Sequence, residues 1–173
     1  MPACSGWDMI KLIGLLLVIG TGSMLGLHKA GQLRHRVTWL AALEGLLRSM
    51  QTEIRYMAPP LEQLLGDLSM QPAYKVLDFL PAIGNYAKQE AFGQAWNRAV
   101  AEACPWQEER QILLQLGCQL GNSDIDGQLG AIGLAAEQVH MLLNTARQQS
   151  LEKGKLCTAM GTLLGTLAAI LLA

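Results

Sequence analysis

The chain has 173 residues, of which 51% are apolar and 16% charged, and 13 Lys/Arg set against 14 Asp/Glu leave a formal net charge of −1. Apart from Lys11 and Asp8, these charges lie in near balance between His28 and Lys155. That balance excludes the concentrated positive field that nucleic-acid binding requires, and aromatic residues, at 5%, form no basic-aromatic stripe.

Residues 9–27 come first as a predicted transmembrane helix, after an N-terminal extension at 1–8. The uncharged run is 12–27, and Lys11 reaches the interface by extending its stem along the lipid. Only Lys11 against Asp8 would form the basic region of a signal peptide, and no small-x-small cleavage site follows, so the reading is a retained span. A second span is predicted at 156–173, uncharged and rich in Leu, Ala, Gly and Thr; each stretch approaches the roughly 20 apolar residues that cross a hydrocarbon core. Gly22 and Gly26 in the first span and Gly161 and Gly165 in the second have the small-xxx-small spacing that lets membrane helices approach closely. Lys29, Arg34 and Arg36 follow the first span, and Arg147, Lys153 and Lys155 precede the second. Basic flanks mark the cytoplasmic side, so the middle, 28–155, is predicted to be cytoplasmic in a two-span protein of the cell membrane.

Within the middle, Leu33, Val37, Leu40, Leu43, Leu47, Met50, Ile54 and Met57 recur at steps of three and four, one stripe of a long helix continuing from the first span. Pro59-Pro60 ends it, because a residue before proline is pushed out of the helical region. Three helices follow, at 60–68, at 72–80 and within 83–103, punctuated by Pro72, Pro81 and Pro105. In the last of them Phe92, Ala95, Trp96, Ala99, Val100 and Ala103 form an inward face. A fifth helix spans 106–120, with Ile112, Leu113, Leu116 and Leu120 inward and Gly121 at its C-terminal cap. Ser123 or Asp124 then caps a final helix whose inward stripe is Ile125, Leu129, Ile132, Ala136, Val139 and Leu143, running on toward the second span. Gly127, Gly130 and Gly133 on it allow a close helix contact. No useful period-2 alternation occurs, so no sheet is predicted. The fold class is all-α, an antiparallel helical bundle flanked by an N-terminal and a C-terminal transmembrane helix.

Chemistry-bearing motifs are absent: no phosphate loop, no nucleophile elbow, no H-E-x-x-H helix. Asp124, Asp126 and Gly127 resemble a fragment of a calcium loop without its ligand series, and helix capping accounts for Asp124. His140 has no assignable nucleophile or orienting partner. The cysteines Cys4, Cys104, Cys118 and Cys157 are far apart, without a zinc spacing, and read as small buried hydrophobes. The prediction is no enzyme, no cofactor and no metal. Docking candidates are polar residues at helix ends: Glu53, Arg55 and Tyr56 before Pro59-Pro60, and Asn122, Ser123, Asp124 and Gln128 at the last turn. Competing with docking are capping by Ser123 or Asp124, packing of Tyr56 and simple solvation of Glu53 and Arg55.

Several fragments, in order, resemble the stage III sporulation protein AB family of endospore-forming bacteria. They are the opening Met9-Ile10-Lys11-Leu12-Ile13-Gly14; then Thr21-Gly22, Gly26, Ala30 and Arg34; Leu47, Glu53-Ile54, Tyr56 and Pro60-Leu61; Leu120-Gly121-Asn122-Ser123-Asp124 and Gln128; and Gly161 with Gly165. Residues Met1 to Asp8 precede that family's usual start. The resemblance implies a subunit of the channel complex linking mother cell and forespore, on the mother-cell side in the outer forespore membrane. It also implies a helical domain similar to the cytoplasmic part of type II secretion and type IV pilus platform proteins. The implied partners are a secretion-type ATPase and other membrane proteins of the sporulation complex. A small transport or pore subunit is the alternative; it would carry ionisable residues within the spans, and neither uncharged stretch has one.

Overall fold

The structure, a computed structural model, describes the backbone of residues 6–57 and 59–172 and the side chains of residues 31–57 and 59–152. Six α-helices follow one another: α1 (Gly6–Tyr56), α2 (Leu61–Ser69), α3 (Phe79–Tyr86), α4 (Phe92–Ala103), α5 (Gln107–Gln119) and α6 (Ile125–Leu172), with a short 3₁₀ helix at Pro72–Tyr74. Among the described residues there is no strand, as the absence of alternation predicts. The chain divides into two compact units, Val37–Ala146 and the pair of terminal segments Met1–Arg36 and Arg147–Ala173. In the terminal unit the backbone is helical within α1 and α6. The expected spans at 9–27 and 156–173, with Gly22, Gly26, Gly161 and Gly165, lie outside the residues whose side chains are described. Among the described residues no helix is long and apolar enough to cross a membrane.

The unit Val37–Ala146 is organised around the stripe on α1. Leu40, Leu43, Leu47, Met50 and Ile54 are all buried, and Trp39 and Leu46 widen the stripe beyond what its spacing suggests. Met57 breaks it: 77% exposed, it lies one residue past the end of α1, beyond the packing. Ile125 departs similarly, 51% exposed at the first residue of α6, while Ile132, Ala136, Val139 and Leu143 follow the expected stripe into the core. Rings link the layers. Trp106 packs edge-on to Trp39 at 5.2 Å, Trp39 meets Phe79 at 6.2 Å, and Phe79 stands edge-on to Trp96 at 5.6 Å. Such tilted and edge-to-face pairs add to the burial of the rings themselves.

Two of the short helices are placed differently from the sequence-based expectation. The stretch 72–80 is not one helix: it forms the 3₁₀ turn Pro72–Tyr74, and α3 starts only at Phe79. Pro81 explains the break. In a helix continuous from residue 72, its ring would clash with the carbonyl of Leu77 and its missing N–H would leave that carbonyl unbonded; starting at Phe79 puts Pro81 in the first turn, where neither penalty applies. Ile83 therefore belongs to α3, and the longer helix is confined to Phe92–Ala103, with Ala95, Trp96, Ala99 and Val100 fully buried.

A close crossing fixes α4 on α5. A Cβ at Gly93 would stand 2.7 Å from the Gly117 carbonyl oxygen, and one at Gly117 would collide with Trp96 Cδ1 and Asn97 Oδ1. Because both positions are glycine, Trp96 Nε1 reaches the Leu113 carbonyl at 2.7 Å inside the core.

A candidate docking surface at one end of the bundle

At the turn into α6, polar side chains are occupied with the chain's own backbone. Gly121 adopts φ +80°, the left-handed conformation of a helix-terminating residue. The Asn122 amide donates to the Cys118 carbonyl at 3.1 Å, and the Ser123 hydroxyl donates to the Gln119 carbonyl at 2.9 Å. Asp124 Oδ1 accepts from the Gly127 N–H at 3.0 Å, so Asp124 rather than Ser123 is the N-cap. Gln128 Nε2 closes the turn on the Ser123 carbonyl at 3.0 Å. A local need for hydrogen bonds thus accounts for the geometry of all four residues, and it also holds them rigidly, with Asn122 and Asp124 exposed.

At the end of α1 the side chains are less engaged. Arg55 is exposed, and Glu53 is half-buried with its carbonyl accepting from the Met57 N–H at 2.8 Å. Tyr56 does not pack; it is 80% exposed. The competing reading, a packed Tyr56, does not hold: Tyr56 lies between the stripe positions Ile54 and Met57, at the last residue of α1.

These two groups, some 70 residues apart in sequence, come to the same end of one helix pair. Gln51 Nε2 lies 3.4 Å from the Leu129 carbonyl, and a Cβ at Gly133 would sit 3.1 Å from the same nitrogen. Further along, Glu44 meets His140 at 3.0 Å. Residue numbers rise on α1 as they fall on α6, so the helices are antiparallel. From Gln51 the chain advances about 7.5 Å to Tyr56, and from Leu129 back to Ile125 it covers about 6 Å toward the same end, at 1.5 Å per residue. Both groups therefore sit at nearly one level. Of the three glycines near the start of α6, only Gly133 faces another helix; Gly127 lies against its own cap, and Gly130 has open space.

Electrostatic links brace the bundle on its flanks. Glu44 Oε1 accepts from Arg48 Nε at 3.0 Å, from Arg48 Nη2 at 2.8 Å and from His140 Nδ1. Partial burial pushes the Glu44 carboxyl up, but the bonds from Arg48 and His140 outweigh it and hold the group below the ordinary carboxylate range. Asn144 Nδ2, 3.0 Å from His140 Nε2, fits the tautomer with the proton on Nδ1. Sequence reasoning had no signal for this link, which joins residues 96 apart. On α4, Arg98 bridges Glu90 at 2.7 Å and Glu102 at 3.3 Å and lies 4.3 Å over the Tyr86 ring, while Tyr86 donates to Glu102 at 2.6 Å. That hydrogen bond first, then Arg98, keeps Glu102 below the usual carboxylate range.

Of the cysteines, Cys104 is buried as predicted, whereas Cys118 is exposed on α5 and corrects that reading. Burial pushes the Cys104 thiol above its usual range. Among the described residues no cluster of three or more His, Cys, Asp or Glu could hold a metal ion. Described residues line two open grooves. One, of about 270 Å³, lies between α5 and α6 over Leu116, Gly130 and Ala135; the other, of about 400 Å³, lies between the start of α4 and the end of α5 beside Asn97 and Cys118. Neither brings together a nucleophile and a base.

The family model described as stage III sporulation protein AB matches residues 11–173 of the chain. A stage III sporulation protein AB of Bacillus subtilis (strain 168) is 24% identical over 172 residues, covering 95% of this chain and 99% of the relative. A solved structure titled stage III sporulation protein AB superposes with a TM-score of 0.61 at 23% identity, covering 68% of this chain and 97% of that one. At that identity the structural match speaks for a shared fold.

Proposed function

Because the chain belongs to the stage III sporulation protein AB family, we propose that it is a membrane-anchored platform subunit of the sporulation channel complex between mother cell and forespore. On this reading residues 9–27 and 156–173 anchor it in the outer forespore membrane. The helical middle faces the mother-cell cytoplasm and docks other membrane proteins of the complex together with a secretion-type ATPase. The protein works by holding partners in place rather than by catalysis.

One observation carries the docking part: Glu53, Arg55 and Tyr56 share an end of the α1–α6 pair with Asn122, Ser123, Asp124 and Gln128. Helix-end residues held by their own backbone bonds lose little further freedom when a partner arrives, which is what a platform surface needs. The two flanks of basic residues supply the topological support. The test uses the full chain in lipid nanodiscs with the purified ATPase subunit of the same complex. Binding is expected, along with protease accessibility of the middle from the mother-cell side in fractionated sporulating cells. A middle that is protected from that side, or an ATPase that does not bind the embedded full chain, overturns the corresponding half of the proposal.

A further inference from the structure

The end of the bundle where α1 stops and α6 starts combines two properties that a solvated helix end does not need together. It exposes large apolar side chains, Tyr56 at 80%, Met57 at 77% and Ile125 at 51%. Met57 is the more telling: it continues the three-and-four spacing of the buried Leu43, Leu47, Met50 and Ile54, yet the bundle's own helices leave it uncovered. In the segments that carry these side chains or follow them, the last turn of α1 holds Glu53 and Arg55, the first turn of α2 holds Glu62, and the start of α6 holds its N-cap Asp124 and Asp126, four carboxylates against one guanidinium. Glu62, Asp124 and Asp126 are exposed. In a chain whose formal net charge is −1, this is a local concentration of negative charge, and the rest of the sequence compensates for it.

We propose that this end is a docking face for a protein segment that presents basic side chains around an apolar recess, with Tyr56 and Met57 entering the recess. The inference rests on the platform reading and adds the chemistry of the partner. Charge complementarity selects the occupant. A second copy would bring like charges together across the contact, which costs association free energy. An anionic lipid surface attracts basic residues and repels a carboxylate-rimmed end. A basic protein surface is steered toward the carboxylates, while the apolar side chains supply the desolvated centre that interface energetics require. Asp124 serves in both ways, since its cap bond to Gly127 leaves its charge in place.

The test puts a photoreactive p-benzoylphenylalanine at Tyr56, and separately at Met57, in the full chain within sporulating cells, and maps the adduct by mass spectrometry. An adduct on a protein segment containing Lys or Arg supports the proposal. Combining Tyr56 labelling with Glu62→Lys and Asp126→Lys should lower the adduct at least five-fold, and reversing the mapped basic residue should restore it. The pair Glu62→Gln and Asp126→Asn, which alters the helix ends least, should lower it less, and an unchanged circular dichroism spectrum shows that each variant folds. An adduct on lipid, on the same end of a second copy or on a segment without basic residues overturns the proposal. So does no protein adduct at either position, or a yield indifferent to the charge reversals. The platform reading fails separately. If the ATPase does not bind but Tyr56 reaches a basic segment of another protein, the ATPase assignment falls and the docking face stands. If the ATPase binds and the charge-reversed protein binds it equally with no adduct at Tyr56, the docking face falls and the platform reading stands.

Discussion

Replacing Gly117 by alanine isolates the α4–α5 crossing, because the same change elsewhere should have the opposite sign. In the last turn of α5, where Gly117 lies, an alanine is favoured over glycine by at most about 1 kcal/mol through backbone entropy. Against that, the new Cβ would collide with Trp96 Cδ1 and Asn97 Oδ1. Trp96 cannot simply swing aside: it is fully buried, packed on Phe79 and Phe92, and bonded through Nε1 to the Leu113 carbonyl at 2.7 Å. Overpacking a core costs about 1–3 kcal/mol, and displacing the indole from its acceptor adds about 1 kcal/mol or more. The balance is a loss of about 2 kcal/mol, or roughly 8 °C in Tm for a domain of about 100 residues. The control is Gly66→Ala in α2, where nothing lies within 4 Å of the added carbon; there a gain of about 0.5–1 kcal/mol is expected. Thermal unfolding of the full chain in detergent, followed by circular dichroism, reads both. A Gly117→Ala protein as stable as Gly66→Ala would refute the close crossing.

Two further outcomes follow from the charged and sulfur-bearing groups. Glu44, held below the ordinary value of 4.5 by Arg48 and His140, contributes stability that is complete above that pH and is lost as the pH falls through its lowered value. Glu44→Gln should therefore destabilise most above the ordinary carboxylate range and converge on the unsubstituted protein as the pH falls well below it; a stability difference that stays constant across that acid range would remove the carboxylate from the account. With a maleimide at about pH 7, Cys118 should alkylate in the folded protein and Cys104 only after denaturant is added, since Cys104 is buried and its thiol is pushed up by desolvation. Peptide mapping that finds the two labelled at equal rates would contradict that burial.

Local signals in the sequence carried the fold a long way. The stripe from Leu40 to Ile54, the stop at Pro59-Pro60, the left-handed Gly121 and the cap at Asp124 are each decided by a few neighbouring residues, and each is where its chemistry predicts. The misses share a different cause. Tyr56, Met57 and Ile125 have the residue types of a core, but their exposure depends on where the covering helices end. Cys118 has the same character, exposed on α5 beside Asn97 of α4, where the groove between the two helices opens. Pro81 was legible as a breaker, yet whether it would end one helix or sit in the first turn of the next depended on how the flanking chain packed. The buried Glu109 had no local signal at all, since two glutamates in a first turn read as favourable dipole partners rather than as one exposed and one buried.

The candidate surface was half legible for the same reason. Its two groups could each be picked out at a helix end, but their meeting depends on the antiparallel pairing of α1 and α6, which is set by packing over the whole length of the bundle. Polar links contribute little to that pairing. Gln51 to Leu129 is a long hydrogen bond at 3.4 Å, and Glu44 to His140 is partly exposed; each is worth about 1 kcal/mol net. The buried Leu43 and Leu47 on α1 and Ile132, Val139 and Leu143 on α6 each contribute about 1.5–3 kcal/mol. Apolar burial therefore holds the two helices together, and the polar links choose the register within that hold. A surface at the end of such a pair inherits the rigidity of the core beneath it. Met57 follows the buried Ile54 by one turn and the buried Met50 by two, so the backbone that carries it is fixed by the core and a partner meets a main chain already in place.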